Sequence, residues 1–103
     1  MSAYVVAHFT IDDGDAYGRY AEAFPAVFSK YGGEVVAIDD GRPVVEGTVP
    51  TGRTVILRFT DLETANEWWS SPEYQKIAAD RRAGTTPHLI TLIGERPEGW
   101  TGL

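Results

Sequence analysis

The chain has 103 residues, of which 43% are hydrophobic and 23% charged, a composition that fits one globular domain and neither a disordered nor a fibrous chain. Fifteen acidic against nine basic side chains give a formal charge of −6. This charge repels phosphate backbones and anionic lipids, so nucleic acids and membranes are not expected as partners. The sequence contains no cysteine, which excludes disulfides, thiolate nucleophiles and Cys-ligated metal sites. It shows neither a signal peptide nor an apolar run of roughly 20 residues that could span a bilayer, and a cytoplasmic location is expected.

Four segments are predicted to be strands, because β-branched and aromatic residues dominate them and turn residues flank them. The second strand is predicted to break at residues 40–43 and to resume at Val44–Gly47. The four segments are Ala3–Ile11, Glu34–Asp39, Arg53–Thr60 and Pro87–Gly94. Residues 1–94 are therefore expected to form one domain, and residues 95–103 a polar C-terminal tail.

A first helix is predicted between the first two strands. Apolar side chains recur there every three or four positions up to Tyr31, which is the period of an amphipathic helix. Asp13 or Asp15 can cap its start, and Gly32-Gly33 suits an end in the left-handed conformation.

A second helical segment is predicted between the last two strands, in two pieces. Thr60 and Glu63 form a capping box at the start of the first piece. The second piece begins at Ser71, a good N-cap, followed by Pro72 at the first helical position. This piece has a buried stripe of Tyr74, Ile77 and Ala78, and ends in Arg81 and Arg82, which suit the negative end of the helix dipole.

The order β-α-β-β-α-β is the pattern of the ferredoxin-like fold. The sequence thus predicts an α+β domain with a four-stranded antiparallel sheet and both helical segments on one of its faces. The crossovers are expected to place the first and third strands side by side at the centre, running parallel to each other.

The sheet face away from the helices is expected to be partly apolar. On the first strand Val5, Ala7 and Phe9 alternate with Tyr4 and Val6, which are apolar as well, so the strand does not show the polar alternation of a face in water. Such a surface usually marks an interface, and we expect a homodimer that packs sheet against sheet. The alternative is that these are ordinary surface hydrophobes.

The residues assembled so far resemble a known family. The Ala3–Ala7 opening, Tyr31-Gly32-Gly33 and above all the segment Trp68–Gln75 (WWSSPEYQ) are similar to the domain of unknown function 1330 family, which belongs to the dimeric α/β-barrel superfamily. The resemblance covers Ala3 to Gly94 and implies a homodimer whose two sheets face each other as a barrel. It implies no established activity.

Relatives in that superfamily include cofactor-free monooxygenases, haem-degrading enzymes, isomerases and proteins without known chemistry. Haem-binding relatives tend to offer a histidine from a helix, whereas both histidines here, His8 and His88, lie on predicted strands. Neither a cofactor nor a metal site is therefore predicted.

Polar residues of several strands are expected to converge at one end of the sheet. With parallel central strands, His8 and Arg58 reach similar heights on the face away from the helices, and Glu34 and His88 approach the same end. Such a grouping suits an acid–base pair or an anion anchor. The alternative is that Arg58 pairs with a carboxylate of the partner subunit and that His8 is a satisfied interface residue.

Aromatic residues of the helices complete the candidate set. Trp68 and Trp69 are neighbours and point about 100° apart on a helix, so one is expected in the core and the other at a pocket or interface. Tyr17 lies at the spacing of the buried helix face, and its hydroxyl can reach water. We interpret it first as an aromatic residue of the core. No catalytic residue is assigned. The candidate ligand-binding residues are His8, Arg58, Trp69, Tyr17 and Glu34.

The functional hypothesis is a small homodimeric protein that binds a small organic molecule between sheet and helices, with cofactor-independent chemistry as an option. The alternative is a non-enzymatic dimerisation module with a packed barrel interior. A void of roughly several hundred Å³ lined by His8, Arg58 and an aromatic side chain would favour ligand binding over the module.

Overall fold

The computed structural model describes residues 2–41 and 44–103, which form four strands and three helices. The strands are β1 (Ala3–Ile11), β2 (Glu34–Asp40), β3 (Arg53–Phe59) and β4 (Thr85–Gly94), and the helices are α1 (Gly14–Ser29), α2 (Leu62–Ser70) and α3 (Pro72–Gly84). This order confirms the predicted α+β ferredoxin-like pattern, with the second helical segment in two pieces. None of these helices is long and apolar enough to cross a membrane within the described ranges.

The sheet has the strand order β2-β3-β1-β4, and every neighbouring pair is antiparallel. This confirms the antiparallel sheet, but the prediction that β1 and β3 run parallel is wrong. The crossover through α1 joins β1 to β2, which run in the same direction with a gap of one strand between them. The chain then turns back after β2, so β3 fills that gap in the opposite direction to both neighbours. As a result Tyr4 pairs with Arg58, whereas His8 pairs with Thr54.

Side-chain caps set where the helices begin. The Asp13 carboxylate accepts hydrogen bonds from two backbone N–H groups at the start of α1, which decides between the two predicted caps, Asp13 and Asp15. Ser71 caps α3, where its hydroxyl oxygen accepts the Tyr74 N–H at 3.1 Å. The capping box of Thr60 and Glu63 is wrong, because the N-cap of α2 is Asp61. Its carboxylate accepts the Thr64 N–H at 2.7 Å, and a carboxylate is a stronger acceptor there than a hydroxyl.

The strand boundaries differ from the prediction by one residue at the ends of β2 and β3, and by more at two other places. Val44–Gly47 does not continue β2 and lies exposed outside any strand, and the β2–β3 pairing has its register shift earlier, between Val35 and Ala37. Within the predicted break, residues 42 and 43 lie outside the described part of the chain. β4 begins two residues before Pro87. The β1–β4 register shifts between His8 and Phe9, which leaves His88 as an extra residue of β4 and lets the chain pair on both sides of the proline.

Steric constraints explain the two glycines of the Tyr31-Gly32-Gly33 sequence after α1. Gly32 adopts φ +66°, which β-carbon-bearing residues rarely do, and this confirms the predicted left-handed turn. A Cβ on Gly33 would lie 2.1 Å from the Phe28 ring. Phe28 itself is buried in the core, so Gly33 lets the chain pass close beside the ring on its way into β2.

The core lies between one face of the sheet and the helices. Its largest fully buried side chains are Trp68, Tyr74 and Phe59, and the Trp68 ring centroid is 4.1 Å from that of Tyr74 and 5.1 Å from that of Phe59. Within the described ranges no helix covers the other sheet face, and the protein measures only 17 Å along its shortest axis. Leu89 and Ile93 are about half exposed on that outer face, beside Tyr4, Val6 and Ile56.

Candidate functional site

A cavity of about 200 Å³ lies between the inner face of the sheet and the helices. Val5, Ala7 and Ile90 line it on the sheet side, and Tyr17, Phe24 and Trp69 on the helix side. Val35 and Ile38 of the edge strand β2 also line it, and they are 48% and 57% exposed. The cavity is therefore apolar and aromatic inside, and solvent reaches its wall along the β2 edge.

Arg53 contributes a charged group to this cavity, but that charge is already paired. It lies on the helix-facing side of β3 and forms a two-point ion pair with Asp40, Nε to Oδ1 at 2.7 Å and the second nitrogen to Oδ2 at 2.9 Å. The guanidinium also covers the Tyr17 ring at 5.5 Å and donates a long hydrogen bond to its hydroxyl at 3.4 Å. The hydrogen bond from Arg53 holds the pKa of Asp40 below its ordinary value.

Arg81 lines the same cavity and has no such partner. It is only 4% exposed, and its Nε is buried without a hydrogen bond. The guanidinium carbon lies 5.6 Å from the Trp69 ring centroid and 5.9 Å from that of Tyr20. Among the residues that the structure describes, no carboxylate forms an ion pair with it.

Three further polar groups belong to cavity-lining residues. The indole Nε1 of Trp68 is buried and unpaired in the described part of the protein. The hydroxyls of Tyr20 and Tyr74 bond each other at 2.9 Å, and burial raises the pKa of Tyr20 far above its ordinary value. Tyr20 is therefore a neutral phenol at physiological pH and not a phenolate base.

The five candidate residues from the sequence separate into three groups. Trp69 and Tyr17 line the cavity, and Trp68 is the core member of the tryptophan pair, at 1% exposure. Arg58 and Glu34 form an ion pair with each other on the outer face of the sheet. His8 lies on the same outer face near the opposite end of β1, so the predicted convergence of His8 with Arg58 is wrong.

His8 belongs to a separate polar cluster. Its Nε2 donates to the Pro50 carbonyl at 2.8 Å, and its Nδ1 accepts from the Thr54 hydroxyl at 2.9 Å. The His88 ring lies 5.4 Å from the His8 ring, and its Nε2 is 2.7 Å from Thr10 Oγ1. These contacts hold the loop before β3 against the sheet, and both ring nitrogens of His8 and the Nε2 of His88 have hydrogen-bond partners.

The sequence interpretation missed Arg81 as a site residue and assigned it to the helix dipole. A signal for its burial was present, because Tyr74, Ala78 and Arg81 follow each other at steps of four and three residues. Continuing the apolar stripe by one more step places the arginine on the buried face of α3. The four residues of this stripe that are buried in the structure are Tyr74, Ala78, Arg81 and Gly84.

A family model described as "Domain of unknown function (DUF1330)" matches residues 2–94. The chain belongs to the DUF1330 family. The match confirms the resemblance carried by the Tyr-Gly-Gly and WWSSPEYQ segments. No curated protein matches the sequence.

Solved structures similar to this DUF1330 chain share its fold at low identity. A protein of unknown function from Rhodopseudomonas palustris is 17% identical with a TM-score of 0.72, covering 93% of this chain and 82% of that one. SnoaB from Streptomyces nogalater, described as a cofactor-independent oxygenase, is 18% identical with a TM-score of 0.65, covering 95% and 96%. A dimeric ferredoxin-like protein of unknown function from Jannaschia sp. CCS1 is 13% identical with a TM-score of 0.65, covering 92% and 100%.

The segment that carries the DUF1330 resemblance also builds the cavity. Trp69 forms part of its wall, and the Gln75 side-chain amide donates to the Trp69 carbonyl at 2.6 Å, across the break between α2 and α3. Ser71 makes that break as the cap of α3, and Tyr74 follows with its ring against Trp68. The Ser71-Pro72 break after the tryptophan pair thus helps to position Trp68 in the core and Trp69 at the cavity.

Proposed function

We propose that this DUF1330 protein binds a small, mainly apolar organic molecule in the cavity between its sheet and its helices, and that it does so as a homodimer. The observation that carries the proposal is the cavity itself, about 200 Å³ with aromatic walls. Protein interiors are close-packed and contain few voids larger than a water molecule. An apolar void of this size inside a chain of 103 residues therefore supports ligand binding.

The volume limits the size of the ligand. An engineered apolar cavity of about 150 Å³ accommodates benzene. A cavity of about 200 Å³ accordingly suits a compound of roughly one or two rings. Val35 and Ile38, exposed on the β2 edge, mark the side from which such a compound enters.

The homodimer is supported by the outer face of the sheet. Leu89 and Ile93 are about half exposed there, and Val6 and Ile56 pair directly across the two central strands. The similar protein from Jannaschia sp. CCS1 is described as dimeric. Packing this face against a second copy leaves the cavity on the opposite side of the sheet, so dimerisation and ligand binding use different faces.

A second candidate function is a reaction on the bound ligand without a cofactor. It is favoured by the shared fold of SnoaB, which is described as a cofactor-independent oxygenase. The rival function, a dimerisation module without a ligand, gives no role to an aromatic cavity away from the dimer face.

A thermal-shift screen with one- and two-ring aromatic compounds tests the binding function. Compounds that bind should raise the melting temperature by about a few degrees. Ala21→Phe places a ring in the cavity lining and should abolish the shifts. Ala26→Phe is the matched control, because Ala26 is exposed on the same helix and is not part of the cavity wall. Shifts that survive Ala21→Phe, or a complete absence of shifts, would contradict the proposal.

A further inference from the structure

The cavity contains a positive charge that the described part of the protein does not neutralise. Arg81 is only 4% exposed, and its Nε has no hydrogen-bond acceptor. No carboxylate of the described residues forms an ion pair with it. An arginine does not shed its proton, so burial does not remove the charge. A buried charge without a partner is among the costliest groups a fold can hold.

The aromatic neighbours offset only part of this cost. The guanidinium lies over the rings of Trp69 and Tyr20, at 5.6 Å and 5.9 Å from their centroids. Cation–π contacts of this kind favour the cation but accept no hydrogen bond in the plane of the guanidinium. The Nε–H of Arg81 therefore still lacks an acceptor among the residues that the structure describes.

Two carboxylates that could be considered as a counter-ion for Arg81 are paired with other cations. Asp80, the residue before Arg81, pairs with Arg19 at 3.2 Å on the surface. Asp40 accepts hydrogen bonds from two guanidinium nitrogens of the cavity-lining Arg53. These two carboxylates are therefore engaged by other cations, and no carboxylate of the described residues forms an ion pair with Arg81.

From this geometry we infer that the ligand of the cavity is an organic anion, a planar aromatic monocarboxylate whose carboxylate pairs with the Arg81 guanidinium. The inference rests on the proposed function and specifies its ligand class. A guanidinium matches a carboxylate through two parallel N–H···O bonds, and the aromatic walls suit a flat apolar body.

The residues around the cavity favour a ligand with a single negative charge. Arg53, the other cation of the cavity wall, is already neutralised by Asp40. The whole protein carries a formal charge of −6, which disfavours a phosphate or a dicarboxylate.

A pair of probes with the same shape and different charge tests the inference. Isothermal titration calorimetry compares 2-naphthoate with 2-naphthamide on the wild-type protein at pH 7. The acid should bind at least about tenfold more tightly than the amide, since a hydrogen bond to a charged group is stronger than a neutral one. In Arg81→Gln the two probes should bind equally, because the variant lacks the charge.

Arg82→Gln is the matched control. It removes the same charge from the next residue, which is exposed and donates to Gln75 Oε1 at 2.7 Å. This variant should keep the preference for the acid. The wild-type comparison needs no variant, so it decides the inference even where Arg81→Gln does not fold.

The outcomes separate the ligand class from the function. Equal binding of acid and amide, or a preference that survives Arg81→Gln, overturns the assignment of an anion and leaves the cavity as a site for neutral compounds. Failure of both probes also overturns it. If no compound in the aromatic screen shifts the melting temperature either, the proposed function is wrong as well.

Discussion

The guanidinium of Arg81 lies 5.6 Å from the ring centroid of Trp69, inside a cavity in which no described carboxylate faces it. The two residues come from α3 and α2 and meet because the Ser71 cap redirects the chain between the two helices. The contact combines a flat aromatic surface with a buried cation, a pairing that suits anion recognition better than core packing.

Replacing this arginine by an apolar residue should stabilise the ligand-free protein. Arg81→Met keeps much of the side-chain volume and removes a buried charge without a partner, so the free energy of unfolding should rise by about 1–2 kcal/mol. Urea denaturation measures the change. Arg82→Met, at an exposed position on the same helix, should change stability by less than about 0.5 kcal/mol. A marked loss of stability in Arg81→Met alone would show that the charge is compensated in the free protein.

The cap at Ser71 is predicted to contribute measurably to stability. Its hydroxyl oxygen accepts the Tyr74 N–H at 3.1 Å and its proton goes to the Trp68 carbonyl at 2.9 Å. Ser71→Ala should lower the free energy of unfolding by about 0.5–2 kcal/mol. Ser70→Ala, one residue earlier and exposed, is the control and should have little effect. Equal melting temperatures for the two variants would show that the Ser71 cap does not stabilise α3.

The dimer is predicted to depend on the outer face of the sheet. Sedimentation of the wild-type protein at micromolar concentration should give about twice the chain mass of 11.3 kDa. Ile56→Lys places a charge opposite Val6 at the centre of that face and should yield a monomer. Val45→Lys, at a loop residue that is 98% exposed, should remain dimeric. A wild-type monomer, or an Ile56→Lys dimer, would reject sheet-to-sheet packing.

Acid stability is predicted to depend in part on Asp61. The hydrogen bond from the Thr64 N–H lowers the pKa of this carboxyl below its ordinary value of 3.8. A group whose pKa is lower in the folded state stabilises the fold above the unfolded value and loses that contribution as pH falls through the folded value. Wild-type stability should therefore decline below about pH 4, and Asp61→Asn, which still caps but does not titrate, should decline less steeply. Parallel pH profiles of the two proteins would contradict this role.

Local patterns in the sequence were sufficient for the elements and most of their ends. The periodicity around Tyr20 and Tyr74 predicted the helices and their buried faces, and the caps at Asp13 and Ser71 were read from residue type alone. Thr60 does not cap α2, because Asp61, one residue later, offers a better acceptor. Both residue types are common N-caps, so residue type alone does not decide between neighbouring positions.

The candidate site could be predicted only in its aromatic part. Tyr17 and Trp69 follow from helical spacing, which fixes the face of a helix on which a side chain lies. The same spacing also places Arg81 on the buried face of α3. The sequence analysis nevertheless assigned it to the helix dipole, because arginines are common in exposed positions at helix ends.

By itself, the sequence determined the element order, the family and the two faces of each strand, because these depend on residues a few positions apart. Only the tertiary structure decided the direction of β3 against β1, which places Arg58 beside Tyr4 and Glu34 and leaves His8 near the other end. It also decided that Asp40 neutralises Arg53 while Arg81 stays unpaired in the cavity. Pairings of this kind join residues from separate elements, and no local preference encodes which charge meets which.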